Sequence, residues 1–346
     1  MKNILSTIIC AGLIASCAIL PSCAKKTDEP TAKKIVVGFA QLGAESDWRV
    51  ANTKSIKDEA RARGIDLRFS DAQQKQENQI KALRSLIEQK VDIIAFSPLV
   101  ETGWQSVLEE IQTAGIPVIL TDRAVDVTDP SLYVTFIGSD FVEEGRRAAR
   151  WFIENTKGDV NVFELRGTPG ASCAVDRKKG FEEAIAAHPR IKIIQSQDGN
   201  FETAKGKEVM EAFLKTPEAK DCNALYSHND GMALGAIQAI KAAGRKPGTE
   251  IKIVSIDAVK AAFEAMIAGE LNCTVECNPL LGPKLFDTIE AVLAAKKLAD
   301  NGAKLKLVKP GVLETLKGNI FEKRLTVEEG VFDQSVAKEQ LNQRKY

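Results

Sequence analysis

From residue 34 onward, short apolar runs alternate with stretches in which apolar positions recur every three or four residues. The runs are KIVVGFA (34–40), VDIIAFS (91–97), IPVILTD (116–122), LYVTFIG (132–138), DVNVFEL (159–165), IKIIQS (191–196), NALYSHN (223–229), IKIVSID (251–257) and LNCTVEC (271–277). Between them lie stretches such as QENQIKALRSLIEQK (76–90), where Ile80, Leu83 and Ile87 share one helical face. Nearly continuous β-branched runs separated by helices predict parallel strands covered on both faces.

The first half reads as strand 34–40, helix 50–63, strand 66–70, helix 77–89, strand 91–97, helix 104–114 and strand 116–122. The second half repeats it: strand 159–165, helix 177–187, strand 191–196, helix 203–215, strand 223–229, helix 231–243 and strand 251–257. The predicted fold class is therefore α/β, with two similar doubly wound parallel-sheet lobes rather than one large sheet. A length of 346 residues suits two domains. In open α/β sheets ligands bind beyond the carboxyl ends of the strands, so the segments just past each strand are the ones that carry function.

The first residues break this pattern. MKNILSTIICAGLIASCAILPSC has one Lys, an apolar run and then small residues, and the charged stretch AKKTDEPTAKK follows. This is the order of an export signal, and the apolar run barely reaches the ~20 residues of a membrane span. LPSC, ending at Cys23, resembles a lipoprotein acylation site. IASC, ending at Cys17, fits too but is followed by more apolar residues, so Cys23 is favoured. Residues 1–22 are read as a lipoprotein signal peptide and 23–33 as a tether. The expected location is outside the cytoplasm, as a periplasmic or cell-surface lipoprotein held by acyl chains on Cys23.

Charge changes little in this picture. Lys+Arg and Asp+Glu both total 47, so no basic surplus draws nucleic acid. Four cysteines remain beyond the leader: Cys173, Cys222, Cys273 and Cys277. With only His188 and His228 and no Cys-x-x-Cys, a zinc site is not expected. Cys273 and Cys277 lie roughly 13 Å apart on a strand, too far to bridge each other, while a disulfide between more distant cysteines stays open.

The strand ends include QLGAESDWR (41–49), SPLVETG (97–103), DRAVD (122–126), RGTPGASCAVDR (166–177), GNFETAKG (199–206), HNDGMA (228–233), DAVKAA (257–262) and ECNP (276–279). They hold carboxylates, guanidiniums, an amide and a Trp. A Gly-x-Gly-x-x-Gly after the first strand, a Walker loop and a Gly-x-Ser-x-Gly elbow are all missing. A hydrolase built on Asp122, Asp257 and Glu276 is the enzymatic alternative, weakened by those absences. Sugars need this mixture, because each hydroxyl both donates and accepts while the ring's C–H face packs on an aromatic side chain. Four or five hydrogen bonds to charged groups, at roughly 1.5–3 kcal/mol each, suffice for micromolar binding after ordering costs.

The stretches VGFAQLGAESDWR, DAQQKQENQIKALRSLIEQKVDIIAFSP, PVILTDRAVDV, GASCAVDRKKGFEEAI, SHNDGMALGAIQAIKAAG and IVSIDAV, taken together, resemble the sugar-binding proteins of bacterial ABC importers. Within them the chain resembles the ribose-binding group, and its galactofuranose binders most of all. The resemblance implies the type I periplasmic binding protein fold, with two lobes joined by a three-stranded hinge and a ligand cleft between them. It places residues 34–138 plus about 277–310 in the N-terminal lobe and 139–276 plus about 311–346 in the C-terminal lobe.

It also implies roles. Trp48 would stack on a monosaccharide and Arg49 stand beside it. Asp122 and Arg123 would bind adjacent hydroxyls from the N-terminal lobe, and Arg177, Asn229 and Asp257 from the other. Glu276 falls where ribose binders carry a Gln by the second hinge, Phe201 aligns with an aromatic cleft residue, and Ser46 and Asp140 are further candidates. Trp-Arg in place of paired aromatics argues against plain ribose. Simpler roles exist for each: Trp48 or Phe201 in the core, Arg177 on a solvated helix face, Asp230 as a helix N-cap beside Asn229, Asp257 as a cap of the next helix.

The expected function is that of a non-enzymatic monomer without cofactor or metal, delivering a monosaccharide to the permease subunits of an ABC importer. The second reading is a sensor that presents sugar to a chemoreceptor or sensor kinase. A transcription regulator of the same fold would carry a basic helix-turn-helix before the first strand, where this chain has its leader and tether.

Overall fold

A computed structural model describes residues 34–300, 324–326 and 329–346, without the side chains of 298–300. The signal, tether and acylation expected around Cys23 lie outside the described residues. The apolar runs become strands β1 (Val36–Gln41), β2 (Asp66–Asp71), β3 (Ile93–Phe96), β4 (Val118–Thr121), β5 (Thr135–Gly138), β6 (Val160–Arg166), β7 (Ile191–Asp198), β8 (Ala224–Ser227), β9 (Lys252–Asp257) and β10 (Cys273–Glu276). Two short strands follow, β11 (Arg324–Thr326) and β12 (Val331–Asp333).

The helices between them are α1 (Asp47–Ala62), α2 (Gln76–Glu88), α3 (Gln105–Thr113), α4 (Phe141–Asn155), α5 (Ser172–Ile185), α6 (Thr203–Phe213), α7 (Asp230–Ala242), α8 (Lys260–Ile267), α9 (Gly282–Asp300) and α10 (Ala337–Gln343). Among the described residues no helix is long and apolar enough to cross a membrane.

Two six-stranded sheets result, in the orders β11-β5-β4-β3-β1-β2 and β12-β10-β9-β8-β6-β7. The first is parallel throughout, and the second is parallel except for β12, which runs antiparallel to β10. Every residue of β3, β4, β5 and β8 is buried, which is why these runs show no polar alternation: helices cover both faces.

The chain passes between lobes after β5, at Ser139–Asp140, and after β10, at Cys277–Leu281, because α9 packs back on α1. The third passage corrects the expected boundary near 310. Arg324–Thr326 pairs with β5 and so belongs to the first sheet, whereas Val331–Asp333 pairs with β10, so the chain crosses in between. Contacts across the cleft close the lobes on one another. The Ala124 amide donates to Ser172 Oγ at 2.9 Å, and the Glu101 amide to the Gly170 carbonyl at 2.8 Å. The four described cysteines are buried and free, so no disulfide joins them.

Candidate functional site

Twelve residues surround a small space at the strand ends: Glu45, Ser46, Trp48, Arg49, Asp122, Arg123, Cys173, Arg177, Phe201, Asn229, Asp257 and Cys277. Nine of the residues named from the sequence meet here, drawn from both lobes.

The first lobe supplies a charged cluster built on the start of α1 and the end of β4. Arg49 donates from Nη2 to Asp122 Oδ2 at 2.5 Å, from Nε to Glu45 Oε1 at 3.1 Å and from Nη1 to Ser97 Oγ at 3.3 Å. Ser97 donates in turn to Asp122 Oδ2 at 3.0 Å. Burial acts to lower the pKa of Arg49, but Asp122 and Glu45 outweigh it and hold the guanidinium charged. Arg123 donates from Nη1 to the Leu99 carbonyl at 2.8 Å and lies 3.6 Å from Glu45.

Two atoms of this cluster are buried without a hydrogen-bond partner, Glu45 Oε2 and Arg123 Nε. A buried carboxylate oxygen and a buried N–H left open in one cavity are an acceptor and a donor set for a hydroxylated guest. Sequence reasoning missed Glu45, although it stands four residues before Arg49 in the strand-end segment where function was sought.

The second lobe answers with Arg177 on α5. Its Nε donates to Glu144 Oε2 at 2.7 Å, its Nη1 to the His228 carbonyl at 2.6 Å, and Nη2 lies 3.7 Å from Asp257. The solvated-face role for Arg177 is excluded, since only 3% of it is exposed. α4 and α5 approach closely enough for this pair because both carry glycine at the contact. A Cβ on Gly145 would lie 2.2 Å from the Arg177 carbonyl oxygen, and one on Gly180 would lie 1.9 Å from that of Val142. Burial raises the Asp257 carboxyl well above its ordinary range, with Arg177 opposing.

Asn229 caps α7 by accepting from the Met232 amide at 3.0 Å, and its Nδ2 donates to the Phe201 carbonyl at 3.1 Å. The cap is Asn229 and not Asp230, whose buried carboxylate instead accepts from Ser255, Thr274 and the Val259 amide. Asp257 caps no helix: α8 starts after Val259 without a side-chain cap.

Two aromatic rings border the space. The Trp48 indole donates to the Cys277 carbonyl at 2.6 Å, which pins the ring, and Arg49 lies 4.7 Å from its centroid. Trp48 is also part of the hydrophobic core, so its core and site roles coexist. Phe201 sits between Arg123 and Arg177, 5.3 and 5.9 Å from its centroid. It fits because position 167 is glycine; a Cβ there would lie 1.9 Å from the ring. The backbone at Asp122, Phe201 and Asp257 has φ of 62, 64 and 123°, values that L residues adopt at a cost and that cluster at functional sites.

Two expected residues are not at the site. Asp140 is exposed and caps α4, its Oδ1 accepting from the Glu143 amide at 3.1 Å. Glu276 faces away: it accepts from Arg344 Nη1 at 2.5 Å, Tyr346 OH at 3.0 Å and the Gly330 amide at 3.0 Å. The cause is side-chain alternation, which turns the next residue, Cys277, towards the space instead. Ser46 lines the space and caps α1 through the Arg49 amide.

Comparison with known proteins agrees with this geometry. Residues 37–297 match the family model for the periplasmic binding protein domain. The chain is 51% identical over 261 residues to the galactofuranose-binding protein YtfQ of Escherichia coli, covering 75% of this chain and 82% of that one. Among solved structures, a galactofuranose binding protein superposes with a TM-score of 0.81 at 45% identity, covering 90% of this chain and 98% of the other. The binding component of the arabinose ABC transporter from Shewanella sp. ANA-3, bound to α- and β-L-arabinofuranose, gives 0.80 at 48% identity, covering 90% and 95%. These relatives are binding proteins, not enzymes.

Proposed function

Because the chain belongs to the periplasmic binding protein family, we propose that it captures a monosaccharide in its furanose form between the two lobes and delivers it to the membrane subunits of an ABC importer. The observation that carries the reading is the pairing of acid and guanidinium on both sides of one small space. Arg49, Asp122 and Arg123 stand on one side, Arg177 and Asp257 on the other, and Trp48 and Phe201 border it. Each acid accepts from a hydroxyl while the neighbouring guanidinium donates to the next one, and an aromatic face takes the C–H side of the ring. The two relatives above bind galactofuranose and arabinofuranose, which supports a five-membered ring.

Both lobes supply polar groups, so the full set forms only on closure and the sugar stabilises the closed state over the open one. Residues 1–22 export the chain and acylated Cys23 holds it at the membrane surface.

A thermal-shift screen over pentoses and hexoses tests the reading. A ligand at 100 times its Kd stabilises by about 2.7 kcal/mol. Arabinose and galactose, which contain furanose forms in solution, are expected to raise the melting temperature; no shift with any sugar would remove the substrate class. Replacing Cys23 by Ser is expected to move the protein from the membrane to the soluble fraction, and continued membrane retention would remove the anchor.

A further inference from the structure

The three segments that cross between the lobes meet at one carboxyl group. Glu329, from the third crossing, accepts at Oε1 from the Ser139 hydroxyl of the first and from the Asn278 amide of the second, the latter at 3.1 Å. Ser139 Oγ also lies 3.4 Å from Cys277 Sγ. A carboxylate oxygen of Glu144, the Cys277 sulfur and a carboxylate oxygen of Glu329 lie within 4.8 Å of one another. Glu144 also accepts, at Oε2, from Arg177 in the sugar site.

We propose that Glu329 is a positioning residue for the sugar site: its carboxyl group ties the three interlobe crossings together and, through Glu144, holds Arg177 in place. The proposal rests on the sugar-binding reading above. Its force comes from a shortage of positive charge. Glu144 and Glu329 are two close carboxyls, and the cation bonded to the pair, Arg177, is bonded to Glu144 alone. Arg147, on α4, reaches only the main-chain oxygen of Glu329, at 2.7 Å, and pairs with Glu143. Arg324, on β11, is spent on the Ser139 carbonyl. Glu276, beside Gly330, is paired with Arg344. Among the described residues the Glu329 side chain makes no ion pair.

Two like charges this close cannot both be kept in a dry interior, so one carboxyl stays neutral. Glu329 is that one. Burial and the Glu144 charge raise its pKa to about 9, against the opposing hydrogen bonds from Ser139 and Asn278 and the more distant Arg177. Burial raises the Glu144 carboxyl as well, with Arg177 opposing, and the hydrogen bond from Arg177 favours its ionised form. A neutral Glu329 can share its proton with the nearby Glu144, whose Oε1 has no other partner; an ionised Glu329 would repel Glu144 and loosen Arg177.

The test compares wild type with Glu329→Gln and Glu329→Ala, using L-arabinose and D-galactose as probes in calorimetry from pH 6 to 10. Wild-type affinity is expected to hold through neutrality and to fall at least about tenfold as pH rises past about 9. Glu329→Gln, which keeps the neutral shape, is expected to bind as wild type does at pH 7 and to lose the alkaline fall, while Glu329→Ala weakens binding at pH 7. An identical alkaline fall in wild type and Glu329→Gln overturns the proposal, as does an equal loss in both variants at pH 7.

If neither sugar binds, the sugar reading fails and the hinge is still tested without ligand. A folded pKa raised above its unfolded value of ~4.5 takes stability away as pH climbs towards about 9. The melting temperature of Glu329→Gln should therefore gain on wild type over that range. Wild type should also show a protonated-carboxyl infrared band at pH 7 that Glu329→Gln lacks. Parallel melting curves and unchanged bands overturn the proposal.

Discussion

Arg49 Nη2 and Asp122 Oδ2 meet at 2.5 Å with both side chains buried, joining the start of α1 to the end of β4. A buried pair is weak evidence for stability, because desolvating two charges offsets most of their attraction. Its value here is geometric: each partner fixes the other at the rim of the space while keeping further lone pairs or N–H groups for a guest. Asp122→Asn keeps the shape and removes the charge. It is expected to lower sugar affinity at least about tenfold, or ~1.4 kcal/mol, with the fold retained. Calorimetry with L-arabinose beside a far-UV spectrum checks it, and unchanged affinity would remove Asp122 from the site.

Closure has its own contacts, distinct from those to the sugar. Ser172 Oγ accepts from the Ala124 amide across the cleft at 2.9 Å. Ser172→Ala removes that bond, worth ~0.5–1.5 kcal/mol, from the closed form alone. Affinity should drop about two- to twelvefold, seen mainly as faster sugar release in stopped-flow fluorescence. An unaltered release rate would mean that this contact does not hold the lobes shut.

Glu276, expected at the site, instead anchors the chain's end. Arg344 lies 4.9 Å from the Phe263 centroid and 4.4 Å from that of Phe332 while it pairs with Glu276. Arg344→Ala therefore removes packing and strands a half-buried carboxylate, at a cost of ~1–3 kcal/mol in denaturant unfolding. Sugar affinity should stay within about twofold of wild type, since neither residue reaches the space; a tenfold loss would return Glu276 to the site.

The parts of the fold that were legible in the sequence were those governed by local periodicity. The nine apolar runs and the segment 66–70 needed only burial on both faces to be read as strands, and the strand-end rule then led to Arg49, Asp122, Arg177 and Asp257. What escaped depended on contacts between distant segments. Glu45 looked like any loop acid until Arg49 and Arg123 closed around it. Glu144 lies in the helical run FVEEGRRAARW, where its burial follows only from the close α4–α5 approach that Gly145 and Gly180 permit. Glu276 was misplaced because a shift of one residue turns a side chain to the other face of a strand. The third crossing was set too early because RLT is too short and polar to read as a strand without the edge of β5 to pair with.

Behind the sugar site, Glu164 and His228 form a buried pair, Oε1 to Nε2 at 3.1 Å, with Ser196 and Lys178 on the other carboxylate oxygen. Burial alone would raise the Glu164 carboxyl, yet the bonds from His228, Ser196 and Lys178 bring it down to about 2. Burial lowers the His228 imidazole below its ordinary 6.5, with Glu164 opposing, so the ring is neutral in the fold. Both shifts act in one direction. The unfolded chain takes up a proton at His228 below about pH 6.5 and at Glu164 below about 4.5, before the fold does, so stability falls with acidification towards about 2. Glu164→Gln cannot take up that proton and should lose less stability than wild type between about pH 4.5 and 2. Because the ring supports the loop whose carbonyl binds Arg177, sugar affinity in this variant should also fall at pH 7. Urea unfolding across the pH series, with calorimetry at neutrality, reads both. Parallel pH profiles for the two proteins would show that the pair does not set the acid limb.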